Sequence, residues 1–298
     1  MEKIKVAVIG AGGKMGTRTS NNLVTKFPDK FDVKLVETFP PAVERIEKER
    51  GLKVTPVDEA LAFADVVIFA VPDTLIKKLS AEYVPMLKPG TVFLILDPAA
   101  AVAKELTLRD DCTFGVAHPC HPSYFKWQKE EEAYQDRFGG EGGHQDIVMS
   151  CIQGDEEKFK LAQETARCMY RADKAFVMTS EQIAFLEPTL LETLGATCCY
   201  AMAETVNEAV KRGIDREAAV SFLTGHVFNL TANFLGYLPG NPPVSDACKV
   251  ALEIGNHLVL RDDWKKIWDD ELLRKVIATM LHPETSQENL GFDVKPQK

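Results

Sequence analysis

The sequence lacks the features of a membrane protein, a nucleic-acid-binding protein or a secreted protein. Its apolar stretches, of which residues 64–72 form one of the longest, are shorter than the roughly 20 residues that a membrane-spanning helix needs. Basic residues are fewer than acidic ones, 35 against 44, and the net charge of −9 argues against partners such as nucleic acids or anionic lipid surfaces. The first strand pattern begins at about Ile4, so we expect neither a signal peptide nor a transit peptide.

Cysteine usage gives no sign of a disulfide framework. The chain has seven cysteines, an odd number, and none of them forms a C-x-x-C pair. Cys198 and Cys199 are adjacent within a helical pattern and cannot easily bridge. We therefore expect reduced thiols and a cytoplasmic protein.

The length and composition predict two domains. A chain of 298 residues is long for a single core, and a hydrophobic content of 45% supports a full interior. The first half alternates apolar strands with helical patterns, which predicts an α/β Rossmann fold with a doubly wound parallel sheet. The predicted strands are 4–9, 33–37, 66–71, 92–96, 113–116 and 147–152. The helical patterns between them are 15–26, 41–50, 75–86 and 156–170.

The second half shows only helical patterns, so we predict a dinucleotide-binding domain over 1–178 and an all-helical domain over 179–298. Thr179 followed by Gln182 predicts a capping box that opens a long helix to about residue 212. Gly213 ends that helix, and Asp215 caps the next one. The further helices are predicted over 216–238, 246–259 and 264–281.

A glycine-rich turn between the first strand and the first helix predicts a dinucleotide site. Its sequence, GAGGKMG over 10–16, can be read as G-x-G-x-x-G with Met15 in the third glycine position, or as G-x-x-G-x-x-G. Glycines let the pyrophosphate approach the backbone, and the helix N-terminus presents N–H groups to it. The predicted cofactor contacts of this turn are Gly10, Gly12, Gly13, Lys14 and Met15.

Glu37 predicts that the dinucleotide is NAD. It ends the second strand, where a carboxylate accepts the adenosine ribose hydroxyls and repels a 2′-phosphate. No Arg or Lys stands directly beside it to recruit that phosphate. Further cofactor contacts are predicted in two loops that follow later strands: Pro72, Asp73 and Ile76 in the first, and Asp97 in the second, where it is either a cofactor contact or a helix cap.

The stretch HPCHP over 118–122 is unusual in composition. His118 and His121 suggest a metal pair, but each precedes a proline, which favours extended backbone, so the two rings need not converge. One histidine could bind a metal or substrate while the other holds structure, and an ordered loop with two hydrogen-bonded histidines is the alternative.

The long helix after residue 182 is apolar nearly all round and contains two carboxylates, Glu187 and Glu192. Such a helix is expected to be buried on most sides, and a buried carboxylate needs a cation or a protonating environment. Pro188 should kink the helix there. A divalent metal or a substrate hydroxyl would suit Glu187, and an arginine from elsewhere is the alternative. A chain of this size could not cover the helix alone, so we also expect a homodimer.

These segments resemble the superfamily of 6-phosphogluconate and 3-hydroxyacid dehydrogenases, and more closely the D-apionate oxidoisomerase family. The matching segments span nearly the whole chain: GAGGKMG (10–16), LILDPAA (94–100), HPCHP (118–122), GG…QDIV (142–148), QGDEE (153–157), EQIAFLEP (181–188), and GH with PVSDA (225–247). The 3-hydroxyacid dehydrogenases carry a catalytic lysine early in the long helix, whereas this helix has none before Lys211.

The resemblance implies NAD-dependent oxidation of a branched sugar acid, coupled to migration of a carbon group. It also implies a divalent metal, zinc in the family pattern, held by His118, His121 or both together with Glu187. Glu192 or the second histidine would then move protons, which makes His118, His121, Glu187 and Glu192 the catalytic candidates. A simple hydroxyacid dehydrogenase without isomerisation and a non-catalytic dinucleotide sensor are the alternatives.

Overall fold

The computed structural model describes residues 2–294 and divides the chain into two units. Unit 1 contains the described residues up to Ala184 and those from Arg274 onward, and unit 2 contains residues 185–273. None of the helices in the described part of the chain is both long and apolar enough to span a membrane.

Unit 1 is built on a seven-stranded sheet with the order β2-β1-β3-β4-β5-β6-β7. All neighbouring strands are parallel except β5 and β6, which are antiparallel. The strands are β1 (Ile4–Ile9), β2 (Phe31–Val36), β3 (Val66–Phe69), β4 (Val92–Ile95), β5 (Thr113–Pro119), β6 (Gln145–Gln153) and β7 (Ala172–Val177).

Helices cover both faces of this sheet. Val6, Val8 and Leu94 contribute to one core with helices α1 and α7, whereas Ala7, Ile9 and Phe93 contribute to a second core with α3 and α4. Because side chains alternate between the faces of a strand, these continuous apolar strands need cover on both sides. The predicted doubly wound architecture is confirmed.

The helices of unit 1 are α1 (Lys14–Lys26), α2 (Pro40–Glu44), α3 (Val57–Phe63), α4 (Asp73–Tyr83), α5 (Ala99–Val102), α6 (Glu131–Gln135), α7 (Glu156–Met169), α8 (Ser180–Ala184) and α13 (Ser286–Leu290). Helix α2 continues as a π-helical turn over Arg45–Glu49.

The antiparallel step between β5 and β6 departs from the predicted all-parallel sheet. Residues 120–144 between the two strands contain only the short helix α6. A parallel connection needs a crossover, usually a full helix, whereas an antiparallel one can turn back at the same edge. The chain therefore leaves β5 and enters β6 at the same edge of the sheet.

Unit 2 is helical. It contains a π-helical segment over Phe185–Ala196, α9 (Thr197–Lys211), α10 (Arg216–Phe234), α11 (Asp246–Leu258) and a 3₁₀ turn over Trp264–Trp268; α12 (Asp270–Leu281) starts in unit 2 and continues into unit 1. The predicted caps are confirmed: Gln182 N donates to Thr179 Oγ1 and Thr179 N to Gln182 Oε1, Ala218 N donates to Asp215 Oδ1, and Gly213 has a φ of +84°.

The boundary between the two units lies after Ala184, whereas the sequence predicted it after residue 178. The Ser180 hydroxyl of α8 hydrogen-bonds to Ser150 of β6 at 2.8 Å, and Ile183 is buried in the second core, so α8 belongs to unit 1. The C-terminal segment also groups with unit 1, where His282 Nε2 lies 2.9 Å from Glu105 Oε1.

Strand β7 was not predicted.

Candidate active site

The glycine turn joins β1 to α1 by close backbone packing. Gly10 has a φ of +76°, and a Cβ there would lie 2.5 Å from the carbonyl oxygen of Ala70. A Cβ on Gly16 would overlap the carbonyl of Gly10, so the packing requires glycine at both positions. At Gly13, which precedes α1, a Cβ would meet only Gly10 O at 3.4 Å. The N-terminus of α1 has no side-chain cap, and the first N–H groups of a helix have no partner within it, so they are suited to bind an anion.

A pocket of about 370 Å³, here called the β2 pocket, opens beside this turn at the end of β2. Gly10, Gly13, Glu37 and Pro72, all predicted cofactor contacts, are among its lining residues. The other lining residues are Ile9, Val36, Thr38, Phe39, Ala42, Arg45, Ala70, Val71, Leu75, Leu79 and Tyr83. The pocket thus combines apolar walls with a carboxylate, which suits the adenosine half of a dinucleotide.

The Glu37 carboxylate is held in position by backbone N–H groups. Its Oε2 accepts a hydrogen bond from Gly12 N at 3.0 Å, and its Oε1 accepts from Thr38 N and Phe39 N at 2.9 and 3.0 Å. These bonds fix the orientation of the side chain before any ligand arrives. A fixed carboxylate at this position is the acceptor that ribose hydroxyls require.

Arg45 is a pocket residue that the sequence reasoning missed. It lines the β2 pocket, and its Nη2 donates to Gly12 O at 2.9 Å. The prediction considered only the residues directly beside Glu37, whereas Arg45 follows one helix later. The pattern Phe39-Pro40-Pro41, which starts that helix, is the signal that could have placed Arg45 near the turn.

The other predicted cofactor residues lie in varied settings. Lys14 is the first residue of α1, and its Nζ lies 4.3 Å from the centroid of the Phe138 ring; Met15 packs against the first core. Asp73 is exposed at the start of α4, and Ile76 is buried in the second core. Neither of these two is among the lining residues of the β2 pocket.

Asp97 and His118 lie together at the carboxyl ends of β4 and β5. Asp97 Oδ1 accepts from Ala99 N at 2.7 Å, so the side chain caps α5. A carboxylate oxygen of Asp97 and a ring nitrogen of His118 lie within 4.8 Å of each other. Ligands of parallel sheets bind beyond this edge, so the pair occupies the region expected for substrate chemistry.

A hydrogen bond fixes the orientation of the His118 ring. It lies in β5 opposite Val148, which confirms the extended backbone predicted for it. Its Nδ1 lies 2.7 Å from the carbonyl oxygen of Leu96, and because Nδ1 donates there, the lone pair of the ring is on Nε2. Burial lowers the pKa of His118, so the neutral ring that a cation requires is favoured.

His121 has different partners. Its φ of +61° is left-handed, so the extended backbone predicted for it is wrong; its ring contacts the ring of Phe138, at 5.4 Å between centroids. Burial, together with the positive charge of Arg18, lowers the pKa of His121 to about 4. The two rings are therefore held by separate contacts.

In unit 2, Glu187 and Glu192 differ in exposure. Glu187 is half-buried and directly precedes the buried Pro188, whereas Glu192 is exposed. The helix departs from regular α geometry around the proline, and Thr193 Oγ1 donates to Pro188 O at 2.6 Å. The disruption predicted at Pro188 is confirmed. The burial predicted for the whole helix is wrong for a single chain, because Leu190, Leu191 and most of the following residues are exposed.

Comparisons with known proteins identify the family. Two family models match: the NADPH-binding domain of acetohydroxy acid isomeroreductase over residues 1–114, and the C-terminal domain of decarboxylating phosphogluconate dehydrogenase over residues 126–281. Proteins named D-apionate oxidoisomerase are similar over nearly their full lengths. That of Blautia hydrogenotrophica is 72% identical, covering 96% of this chain and 100% of the relative; that of Cupriavidus necator is 42% identical, covering 92% and 98%.

A solved structure agrees with this result. The Cupriavidus necator semialdehyde dehydrogenase NAD-binding protein, in complex with calcium and NAD, superposes with a TM-score of 0.87 at 41% identity, covering 94% of this chain and 100% of that one. The fold and the glycine turn are those of NAD(P)-binding oxidoreductases. The chain belongs to the D-apionate oxidoisomerase family.

Proposed function

We propose that this protein is an NAD-dependent oxidoisomerase that acts on D-apionate or a closely similar branched sugar acid. The C2 carbinol loses a hydride to NAD and its hydroxyl proton to a base, and a carbon group then shifts between adjacent carbons without further redox change. The products are NADH, a proton and an oxo acid that is an isomer of the unrearranged 2-oxo acid. The observation that supports this most is that the glycine turn, Asp97 and His118 all lie at the carboxyl ends of parallel strands in unit 1.

NAD is the preferred cofactor in this proposal. The support is the Glu37 carboxylate, which three backbone N–H groups orient in the β2 pocket and which would repel a 2′-phosphate. Arg45 lines the same pocket, but its guanidinium donates to the carbonyl of Gly12. We assign Arg45 to the turn and to the nearby pyrophosphate rather than to a 2′-phosphate.

A divalent metal fits the residues at the β4–β5 edge. A carboxylate oxygen and a neutral imidazole with its lone pair on Nε2 are the mixed donors that Zn²⁺ and similar ions accept. The carbonyl of Leu96 supplies the outer hydrogen bond that typically orients a ligating histidine. When bound, such an ion supplies Lewis-acid polarisation of a substrate carbonyl.

We propose Glu187 as a further ligand beside His118 and Asp97. Helix α8 ends at Ala184 and packs against α5, which begins directly after the Asp97-Pro98 pair. Glu187 is three residues farther along the chain, so its Cα lies within about 11 Å of the Cα of Ala184. The chain itself therefore keeps Glu187 close to the end of α8.

His121 is the proposed acceptor of the substrate hydroxyl proton. With a pKa of about 4 its ring is neutral near pH 7, and a neutral imidazole has one nitrogen whose lone pair can accept a proton. We therefore assign His121 to proton transfer rather than to metal binding. Glu192, which is exposed in the single chain, is the weaker candidate for this role.

A homodimer is proposed through unit 2. Phe222 of α10 and Leu258 of α11 are 70% and 80% exposed, and many other large apolar side chains of unit 2 are exposed with them. Apolar surfaces of this extent are typical of subunit interfaces. A second copy of the chain is the occupant that a self-complementary apolar face suits.

A cytoplasmic location is proposed with it. All seven cysteines are free thiols, and Cys120, Cys151, Cys198 and Cys199 are exposed, which suits a reducing compartment. Fractionation of the source cells would test this, and recovery of the protein outside the cytoplasm would contradict it.

The experiment that tests the proposed function is a screen of branched and linear aldonates with NAD. NADH absorbance is followed before and after treatment with a chelator, and the products are identified by NMR. We expect NADH formation with D-apionate, a rearranged product, and loss of turnover after chelation that a divalent ion restores. An unrearranged 2-oxo acid would identify a simple hydroxyacid dehydrogenase, and NADH binding without any acid-dependent reduction of NAD would contradict the enzyme assignment.

A further inference from the structure

A second cavity of unit 1, of about 550 Å³, lies beside helix α1 and is here called the α1 groove. Lys14, Thr17, Arg18 and Asn21, which share one face of α1, form its first wall. The remaining lining residues come from the glycine turn, from the segment 45–50 and from the loop 136–141: Gly12, Gly13, Arg45, Ile46, Glu49, Arg50, Asp136, Phe138, Gly140 and Glu141. The volume suits a small metabolite.

Four cationic side chains line this groove: Lys14, Arg18, Arg45 and Arg50. Within the described part of the chain, none of the four lies within 4.0 Å of a carboxylate oxygen. The arginines donate instead to neutral acceptors, such as Gln145 Oε1 for Arg18 and Ser20 Oγ for Arg50. Lys14 and Arg45 also serve the proposed dinucleotide site, which leaves Arg18 and Arg50 as cations without carboxylate partners in a chain with a net charge of −9. We take these two as the sign of a further anionic ligand.

Arg18 and Arg50 keep their positive charges in partly or fully buried positions, where the loss of solvent disfavours a charge. Arg18 is only 1% exposed, and burial lowers its pKa to about 10. Burial also lowers the pKa of Arg50, and its Nη1 is buried without a hydrogen-bond partner among the described residues. An anion bound in the groove would offset the desolvation of these two charges.

The acidic residues of the groove do not neutralise these cations. The Asp136 carboxylate accepts hydrogen bonds from the backbone N–H groups of five residues of its own loop, 139–143. Glu49 and Glu141 are exposed. The Phe138 ring, in contrast, lies 4.3 Å from both Lys14 Nζ and the Arg18 guanidinium carbon, so an aromatic face holds two of the cations in place.

We propose that the α1 groove binds a small phosphorylated metabolite as a second ligand beside the dinucleotide. Guanidinium groups match the oxygen geometry of a phosphate, and the groove has room for an organic portion in addition. The alternative is that the pyrophosphate of the dinucleotide itself is the anion in this groove, because the glycine turn borders it.

The linings of the two cavities distinguish these alternatives. The β2 pocket and the α1 groove share only Gly13 and Arg45. Arg50 lines the groove alone, and Glu37 lines the β2 pocket alone. A ligand held by Arg50 is therefore separate from the adenosine half, and its binding is coupled to that of NAD only through the two shared residues.

The test is calorimetric titration of inorganic phosphate and of glycerol 3-phosphate into the full-length protein saturated with NAD, at constant ionic strength. We expect both anions to bind, glycerol 3-phosphate more tightly. Arg50→Gln should weaken phosphate binding at least tenfold and change the Kd for NAD less than twofold. Glu49→Gln, which removes an exposed negative charge from the groove wall, should strengthen phosphate binding two- to threefold.

The matched control is Lys48→Gln, because Lys48 lies on the same segment, pairs with Glu44 and does not line the groove. Its phosphate affinity should stay within twofold of that of the unmodified protein. Absence of phosphate binding at NAD saturation would place the anion at the pyrophosphate position and overturn the proposal. If Arg50→Gln and Lys48→Gln weaken phosphate binding equally, the effect comes from the overall charge of the protein, and the proposal is overturned too. If Arg50→Gln does not fold, the variant Glu49→Gln, which removes a negative charge, decides the question. If it brings no gain in phosphate affinity, phosphate binding in the α1 groove is contradicted.

Discussion

Unit 1 and unit 2 differ in how completely each covers its own apolar surface. The central strands β3 and β4 of unit 1 are buried along their whole length, and residues such as Val8 and Phe93 are fully buried. Unit 2 leaves large side chains such as Phe222 and Leu258 in solvent. The difference indicates that unit 1 can form its dinucleotide site within one chain, whereas unit 2 needs another surface to complete its interior.

The largest expected effect comes from Glu187, which unit 2 contributes to the proposed chemistry. Glu187→Gln removes the charge of a proposed metal ligand, so we expect turnover to fall by about 1,000-fold or more, while the Kd for NADH, which depends on unit 1, stays within about threefold. Steady-state kinetics and a fluorescence titration measure the two quantities. Glu204→Gln, an exposed acid of α9, is the control and should retain activity. Full turnover by Glu187→Gln would remove unit 2 from the proposed metal site.

Glu37 tests the dinucleotide site of unit 1 alone. Glu37→Gln keeps the size of the side chain but loses the charged acceptor of the ribose hydroxyls, so we expect NADH binding to weaken about tenfold or more and the preference over NADPH to shrink. Glu44→Gln, an exposed acid outside the β2 pocket, is the matched control. Tighter binding of NADPH than NADH by the unmodified protein would contradict the proposed preference.

The exposed face of unit 2 can be tested by adding charge. Leu258→Asp places a carboxylate in the proposed interface, so we expect the dimer to dissociate at least tenfold more readily in sedimentation velocity experiments. Leu108→Asp does the same to an exposed leucine of unit 1 and should leave the association unchanged. If the unmodified protein sediments as a monomer at micromolar concentration, the comparison between the units needs another explanation.

The smallest expected effect concerns the loop 136–143 of unit 1. Burial alone would raise the pKa of Asp136, but hydrogen bonds from the backbone of its loop outweigh it and lower the pKa to about 2. The folded pKa lies below the ordinary value of about 3.9, so this stabilisation is present above about pH 4 and is lost as the pH falls toward 2.

Asp136→Asn should therefore lower the free energy of unfolding by about 1–3 kcal/mol near neutral pH and reduce its decline between pH 4 and 2. Urea unfolding at several pH values measures both effects. Asp110→Asn, an exposed acid of the same unit, should change neither. An unchanged acid profile in Asp136→Asn would show that the loop bonds do not stabilise the fold.

Local signals were sufficient for many of the predicted features. The continuous apolar strands predicted the sheet covered on both faces, and the pairs Thr179–Gln182 and Asp215–Ala218 form the predicted caps. Each of these depends on residues a few positions apart, where the physical requirement is visible in the sequence.

Other features depended on distant contacts and could not be predicted locally. Strand β7 lies at the edge of the sheet, where Asp173 and Lys174 interrupt the apolar pattern. Arg45 reaches the glycine turn from the helical segment that follows β2, and the C-terminal residues join unit 1 through contacts such as that of His282 with Glu105. The Leu96 carbonyl that orients His118 likewise belongs to a distant segment, just after β4, so only the structure shows which tautomer of His118 is favoured.

The reversal of direction at β6 leaves the segment 120–144 on a single side of unit 1. Since this excursion starts and finishes at the ligand-binding edge, its length can vary without threading past the sheet or shifting strand register. Its side chains can vary as well, apart from those with assigned roles, such as His121, Asp136 and Phe138. Natural or engineered variation there could alter which acid is accepted while the dinucleotide turn keeps its shape. Libraries aimed at new substrates are best concentrated in that excursion.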